Sequence, residues 1–263
     1  MSNERDKVYQ TIIDRKTGHV VRILGEVVNP EKLFTLPPQD TALWRYQNYE
    51  FIRSIFVDGR LYFRRADKFK DRLEGRFTAG NRERPSIMFA AAAGQLPMKQ
   101  VVSIQESHRS HVYLNCWHKN PMENERMWRE YTTCAEAIAV KTELASLFAA
   151  TPAQIKGANV HYIGEGDSIP ELHSLAALVH KRRDPFEFEN EFRLIYQLPP
   201  EEINRPDDKT DEYRWVPVDA RSLLHLIRFH PAATPEFMET VRRDLGTAGL
   251  QVPSEPSAVA RSS

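Results

Sequence analysis

Between Phe188 and Tyr196 the chain reads Phe-Glu-Asn-Glu-Phe-Arg-Leu-Ile-Tyr, an aromatic-rich strand pattern interrupted by two carboxylates and a guanidinium. Ionised groups in such a segment need partners or a task, because an unpaired charge taken out of water is too costly to keep. Period-two alternation sends Glu189, Glu191 and Arg193 to one face, so three charges are expected together on one wall of the fold. A row of this kind is either a salt-bridged support or one side of an active site.

The chain has 263 residues, enough to bury a substantial core. It reads as an N-terminal β-hairpin extension over 1–40, a main α+β domain over 41–250, and a disordered tail over 251–263 rich in Ser, Pro and Ala. With 41% apolar and 27% charged residues and a formal net charge of zero, there is no global pull toward nucleic acid or membrane, so any basic surface has to be local. Two cysteines, Cys116 and Cys134, and no signal-like first segment lead to the expectation of a reducing cytoplasm. No apolar run approaches the ~20 residues that span a bilayer.

Two β-like runs, Val8 to Ile13 and Val20 to Val28, flank Lys16-Thr17-Gly18 and predict the hairpin. Strands are expected at Leu43–Tyr46, Leu61–Phe63, Val112–Trp117, Ala135–Val140, Asn159–Ile163, Trp215–Val218 and Leu224–Phe229. Helices are expected around Phe51–Phe56, Ser86–Gln95, Glu123–Thr132, Thr142–Ala150 and Ile169–His180, and from Thr234 to Gly246 with Thr234 and Pro235 as its start signal. Strands and helices alternate without the regular period of a parallel Rossmann sheet, and no Gly-x-Gly-x-x-Gly or phosphate-binding loop follows a strand. An α+β fold follows.

Four islands carry polar groups where burial is expected: Leu43-Trp44-Arg45-Tyr46, Phe69-Lys70-Asp71-Arg72-Leu73-Glu74-Gly75, Met127-Trp128-Arg129-Glu130-Tyr131 and the Glu189-x-Glu191-x-Arg193 strand. Each has a plainer reading. Arg45 pairs with Glu191 as support, and Trp128 and Tyr131, three apart on a helix, pack in the core. Residues 64–84 hold eight bases against four acids, which suits either a nucleic-acid contact or a solvated loop. Lys181-Arg182-Arg183 has the same ambiguity.

Taken in order, the four islands resemble an uncharacterised bacterial domain family with a basic-Tyr strand, a Phe-Asn-Asp-Pro-Phe-Glu loop, a Met-Trp-x-x-Tyr segment and a Glu-x-Glu-x-Arg strand. The loop here keeps Asp71 and Glu74 but lacks the Asn and Pro. The early block, from Arg45 through Ile52-x-x-Ile55 to Gly59-x-Leu61, resembles the opening of ADP-ribosyltransferases, including DarT-like enzymes that modify DNA. That resemblance implies split, mostly antiparallel sheets with flanking helices, NAD as substrate, no metal, and transfer of ADP-ribose to a macromolecule. Nucleic acid, DNA or RNA, is preferred to protein as acceptor, and a toxin or antiviral role with a neutralising partner is implied.

Under this reading Glu191 stabilises the ribosyl cation and Glu189 orients or deprotonates the acceptor. Arg45, Tyr46, Trp128, Tyr131 and Arg193 serve the NAD site, with guanidinium for phosphate or ribose and rings for nicotinamide. Arg64, Arg65, Asp71, Arg72 and Glu74 serve the acceptor. The Ser-Thr-Ser strand of one transferase class is absent, Tyr131-Thr132-Thr133 being its nearest counterpart. Three alternatives stay open: a Mg²⁺ nuclease built on Asp71, Glu74, Glu189 and Glu191, a binding module without chemistry, and a zinc site among His108, His111, Cys116, His118 and Cys134.

Overall fold

The computed structural model describes residues 10–13, 20–23, 34–83, 108–164, 166–169, 175–199, 202 and 211–259. Thirteen strands occur among them: β1 (Gln10–Ile13), β2 (Val20–Ile23), β3 (Ala42–Asn48), β4 (Arg60–Arg65), β5 (Val112–Lys119), β6 (Ala137–Glu143) and β7 (Lys156–Asn159), then β8 (His161–Ile163), β9 (His180–Arg182), β10 (Glu191–Gln197), β11 (Tyr213–Pro217), β12 (Leu226–Phe229) and β13 (Ser254–Pro256). β1 and β2 pair antiparallel, as the hairpin expectation has it; its turn and flanks lie outside the described residues. Nine of the others make one sheet in the order β11-β4-β5-β3-β6-β12-β13, with β10 set between β5 and β7. Only the β12–β13 and β8–β9 pairs are parallel.

Sequence pattern explains the layering. On β4, Leu61 and Phe63 are buried while Arg60, Tyr62 and Arg64 alternate to the other side. β5 and β10 are buried along most of their length, as strands covered on both faces must be. One face carries the main core, where Phe63, Tyr113, Trp117, Phe192, Leu194 and Phe229 meet the helices. The longest helix, Pro235–Thr247, starts where Thr234 Oγ1 accepts from Phe237 N at 3.2 Å, and packs Phe237, Val241 and Leu245 inward. No helix among the described residues is long and apolar enough to cross a membrane.

The sheet divides at β5. One edge of β5 pairs with β10 along its whole length, from Val112↔Gln197 to His118↔Glu191. The opposite edge pairs with β4 only at Tyr113 and Leu114, and with β3 only at His118 and Lys119. β3 and β4 therefore diverge, and Asn115, Cys116 and Trp117 have no strand beside them on that edge. Orphaned backbone groups need other partners. The Cys116 carbonyl takes one from the Arg45 guanidinium at 2.7 Å, and Asn115 Nδ2 donates to the Tyr62 carbonyl at 2.9 Å.

Several expectations are corrected. Glu189 is not on the charged strand: Glu187–Glu189 form a 3₁₀ turn, Asn190 adopts φ 38°, and β10 begins at Glu191. Asparagine tolerates that left-handed conformation, and its Nδ2 donates to the Lys119 carbonyl at 2.7 Å. The helix expected over Phe51–Phe56 is two short turns, Tyr49–Ile52 and Ser54–Val57. The strand expected over Asn159–Ile163 breaks at Val160, where the chain leaves β10 for β9. The helix expected over Ile169–His180 gives way to a 3₁₀ turn at Ala176–Leu178 and β9, residues 170–174 lying outside the described residues, as does the helix expected at Ser86–Gln95.

The tail expected to be disordered contains β13. Ile227 N donates to the Pro253 carbonyl at 2.9 Å and Ser257 N to Phe229 at 3.1 Å. At the end of the sheet order, a segment bearing Pro253 and Pro256 costs little, because its outer side needs no N–H donors.

Candidate active site

The charged face of β10 lies beside the sheet division. Arg193, with no exposed surface, grips Glu191 with Nε to Oε1 at 2.6 Å and Nη2 to Oε2 at 2.9 Å. Its Nη1 donates to Glu74 Oε1 and to the Leu178 carbonyl, each at 2.6 Å. Lys181 Nζ sits among three carboxylates, 2.5 Å from Glu189, 3.4 Å from Glu191 and 3.7 Å from Glu74. Tyr131 covers this group, its hydroxyl donating to Glu189 Oε1.

Local sequence explains how distant residues converge. Asp71 Oδ1 accepts from Leu73 N at 2.9 Å and its carbonyl from Glu74 N at 3.1 Å, forming a tight turn that swings Glu74 inward. Gly75 follows at φ 67°, where a Cβ would meet Leu178 Cδ2 at 2.5 Å. The two acids of this loop face β9: Asp71 pairs with Arg182 at 3.3 Å and Glu74 with Lys181. Tyr162 Oη accepts from Glu191 N at 2.9 Å, closing the cluster from β8.

Burial and charge drive the two carboxylates apart. Burial by itself raises the Glu191 carboxyl, but Arg193 and Lys181 outweigh it and hold the group well below the usual carboxylate range. Glu189 moves the other way, raised by burial and by neighbouring Glu191 against the pull of Lys181. The cluster thus holds one carboxylate as a firm anion and leaves the other the weaker acid. Desolvation opposes the Lys181 charge, yet Glu191 and Glu74 raise its value above normal, so it stays an ammonium.

Arg45 reaches this cluster from β3. Burial lowers its pKa somewhat, and its field is shared with Cys116, Glu191, Tyr62 and Tyr131. Its hydrogen bond to Cys116 O engages one of the roughly five N–H groups of a guanidinium. At the division Arg45 thus lies within the field of Glu191, without the direct ion pair of the plainer reading.

Other expected site residues fall elsewhere. Tyr46 and Trp128 pack at 4.9 Å in a closed cluster with Trp44 and Met127, Trp128 Nε1 donating to Glu123 at 3.0 Å and Tyr46 Oη accepting from Asn124 N at 2.8 Å. Neither presents a face to a ligand, so the stacking role assigned to them is corrected; Tyr131, 40% exposed, retains an accessible ring. Arg193 spends its donors inside the protein and is a support, not an NAD contact. Arg65 binds Asp67 at 2.6 Å and Arg64 Nε caps the Lys68 carbonyl at 2.7 Å, while Arg72 is exposed and Glu74 belongs to the buried cluster.

The metal alternatives meet specific obstacles. Three of the four carboxylates proposed for Mg²⁺ surround an ammonium, and the fourth, Asp71, turns to Arg182. Among the described residues no His, Cys, Asp and Glu set of three gathers to hold a metal ion. Cys116 is raised well above the ordinary thiol value by burial and Glu191, and Cys134 is exposed. His118 Nδ1 lies 2.6 Å from the Glu189 carbonyl, which can only accept, so that nitrogen carries the proton; Nε2 then accepts from Asn120.

Lys181 is the member of this buried cluster that sequence reasoning placed least well. It sits in a Lys-Arg-Arg run that reads equally as a nucleic-acid contact or a solvated face, and the pairing of β9 beside β8 turns it inward.

No family model matches the chain, and no curated protein does. Solved structures of DarT from Thermus sp. 2.9 bear a distant likeness to it. The complex with carba-NAD+ is 10% identical with a TM-score of 0.37, over 84% of this chain and 97% of that one. The NAD+ complex gives 10% and 0.36 over the same shares, and the complex with ADP-ribosylated ssDNA 13% and 0.36 over 84% and 95%.

Proposed function

We propose that this protein is an ADP-ribosyltransferase-like enzyme that cleaves NAD and transfers ADP-ribose to a macromolecule, nucleic acid before protein. One observation carries the proposal: at a division in the sheet the guanidinium of Arg45, which lends one N–H to the Cys116 carbonyl, shares its field with the buried anion Glu191 and with Tyr131, whose hydroxyl holds Glu189. The donor set suits NAD, which brings a pyrophosphate for a guanidinium, ribose hydroxyls for a carboxylate and a ring for an aromatic side chain.

When bound, NAD supplies a ribosyl carbon whose bond to nicotinamide breaks as positive charge develops on the sugar. Glu191 meets that charge as a fixed anion: Arg193 and Lys181 keep it ionised, and Arg193 locks its orientation before any ligand arrives. Arg45 binds phosphate or ribose oxygens with its guanidinium. Glu189, the weaker acid, takes the proton of the attacking acceptor and releases it to bulk water after transfer.

An enzyme that modifies nucleic acid in its own cell requires restraint, so a toxin or antiviral role, a neutralising partner and a cytoplasmic setting belong to the same proposal; both cysteines are free. The pure protein, given NAD labelled in nicotinamide and no magnesium, is expected to release label when a nucleic acid is added. Release that stays at the blank rate across DNA, RNA and protein acceptors, with Mg²⁺-dependent strand cutting instead, would overturn it in favour of a nuclease.

A further inference from the structure

We infer that the outer end of the sheet, where β4 and β11 pair, is a docking face for single-stranded nucleic acid. Cross-strand register puts Arg64 beside Tyr213, Tyr62 beside Trp215 and Arg60 beside Pro217. Period-two alternation sends these to one face, and the pairing of Arg64 with Leu114 and of Leu114 with Ile195 makes it the face that carries Glu191 and Arg193. An Arg-Tyr-Arg row thus lies against a Tyr-x-Trp row.

The three rings are assembled as a platform. Tyr62 and Tyr213 stack with centroids 5.4 Å apart at 26°, and Trp215 meets Tyr62 edge-on at 5.5 Å and Tyr213 at 6.0 Å. Arg60 lies 5.1 Å over the Trp215 ring. Tyr213 and Trp215 remain 44% and 37% exposed, on the terminal strand of the sheet, where bare aromatic surface is an aggregation hazard that a ring pair serving stability alone would bury. Two acids stand at the strand ends. Asp58 pairs with Arg60 at 3.1 Å, and Glu212, on Lys68 at 2.8 Å, also feels Arg65 and Arg64. No acid lies within the row itself.

Exposed rings bracketed by arginines are what a sequence-tolerant single strand needs, bases on rings and phosphates on guanidinium groups. A duplex keeps its bases stacked on each other and has no use for such rings. The platform also abuts the cleft, since Tyr62 shares the field of Arg45 and its carbonyl holds Asn115 at the division. A strand lying here would lead one nucleotide toward Glu191. That delivery rests on the proposed function; binding to the face does not.

Trp215 provides the probe, because Trp44, Trp117 and Trp128 are all buried. Titration of the full chain with short oligo-dT or oligo-rU, without NAD, is expected to quench its tryptophan emission, with weakening as salt rises. Trp215→Leu is expected to lose the quench, and it and Tyr213→Ala to bind labelled oligonucleotide about tenfold more weakly at unchanged melting temperature. Preference between oligo-dT and oligo-rU identifies DNA or RNA as the strand. Absence of quenching at low salt, equal binding by duplex, or variants that bind like the parent would overturn the inference. If the strand binds and the variants fail, yet no nicotinamide is ever released, the face stands and the transferase reading falls.

Discussion

Glu191→Gln preserves shape while removing the charge on which two buried cations rely. Both Glu191 oxygens are held by Arg193, and Lys181 stands 3.4 Å away, all within the interior. Deleting one partner of such a pair leaves uncompensated charge at a cost of about 3–5 kcal/mol. At about 2–4 °C per kcal/mol for a chain near this size, the melting temperature should fall by about 6–20 °C. The pH dependence has a definite sign. Because the folded Glu191 lies well below its ordinary value of 4.5, its contribution is present above that value and is lost as pH falls through the folded value. Calorimetry across pH should therefore find a parent that loses stability below pH 4.5 and a variant whose acid limb is flatter. A variant that melts within about 2 °C of the parent at neutral pH, with the same acid limb, would refute the idea that Glu191 is held ionised by Arg193 and Lys181.

Glu189→Gln should behave oppositely: its folded value is raised, so ionising it costs stability as pH rises from 4.5 to the folded value, and the variant should melt no lower than the parent at neutral pH by calorimetry. Tyr131→Phe removes a hydroxyl that lowers Glu189, so the acid limb of nicotinamide release should move to higher pH, with a stability change of about 1 kcal/mol in urea titration. Gly75→Ala meets both a left-handed backbone and Leu178 Cδ2, and should cost about 2–5 kcal/mol by chemical denaturation while disturbing the turn that presents Glu74.

Charges inside an apolar strand stand out in sequence, so β10 and its tie to Arg193 were legible from Glu191 and Arg193 themselves. Glu189 reached the same cluster by another route, since the alternating Phe186, Phe188 and Phe192 mask the turn that Asn190 makes at positive φ. The strands near Leu43–Tyr46, Leu61–Phe63 and Val112–Trp117 and the helix opened by Thr234 and Pro235 followed from period and capping. Lys181 was not legible, because a basic run looks the same whether it faces water or three carboxylates. Tyr46 and Trp128 illustrate the converse: aromatic rings suit a ligand or a core equally, and only packing against Trp44 and Met127 decides. The β4–β11 face was hidden because Arg60, Tyr62, Tyr213 and Trp215 come together only through a pairing about 150 residues apart in the chain, a separation that local pattern cannot see.

Mass spectrometry of a single-stranded oligonucleotide incubated with the protein and NAD, alongside the count of nicotinamide released, joins the cleft to its chemistry. Arg45 beside Glu191 predicts one ADP-ribosyl unit gained per nicotinamide lost, and a much reduced yield in Arg45→Gln, whose stability falls by no more than the lost hydrogen bond to Cys116 accounts for, about 1 kcal/mol. An unmodified strand with intact NAD, or an Arg45→Gln protein as active as its parent, would contradict it.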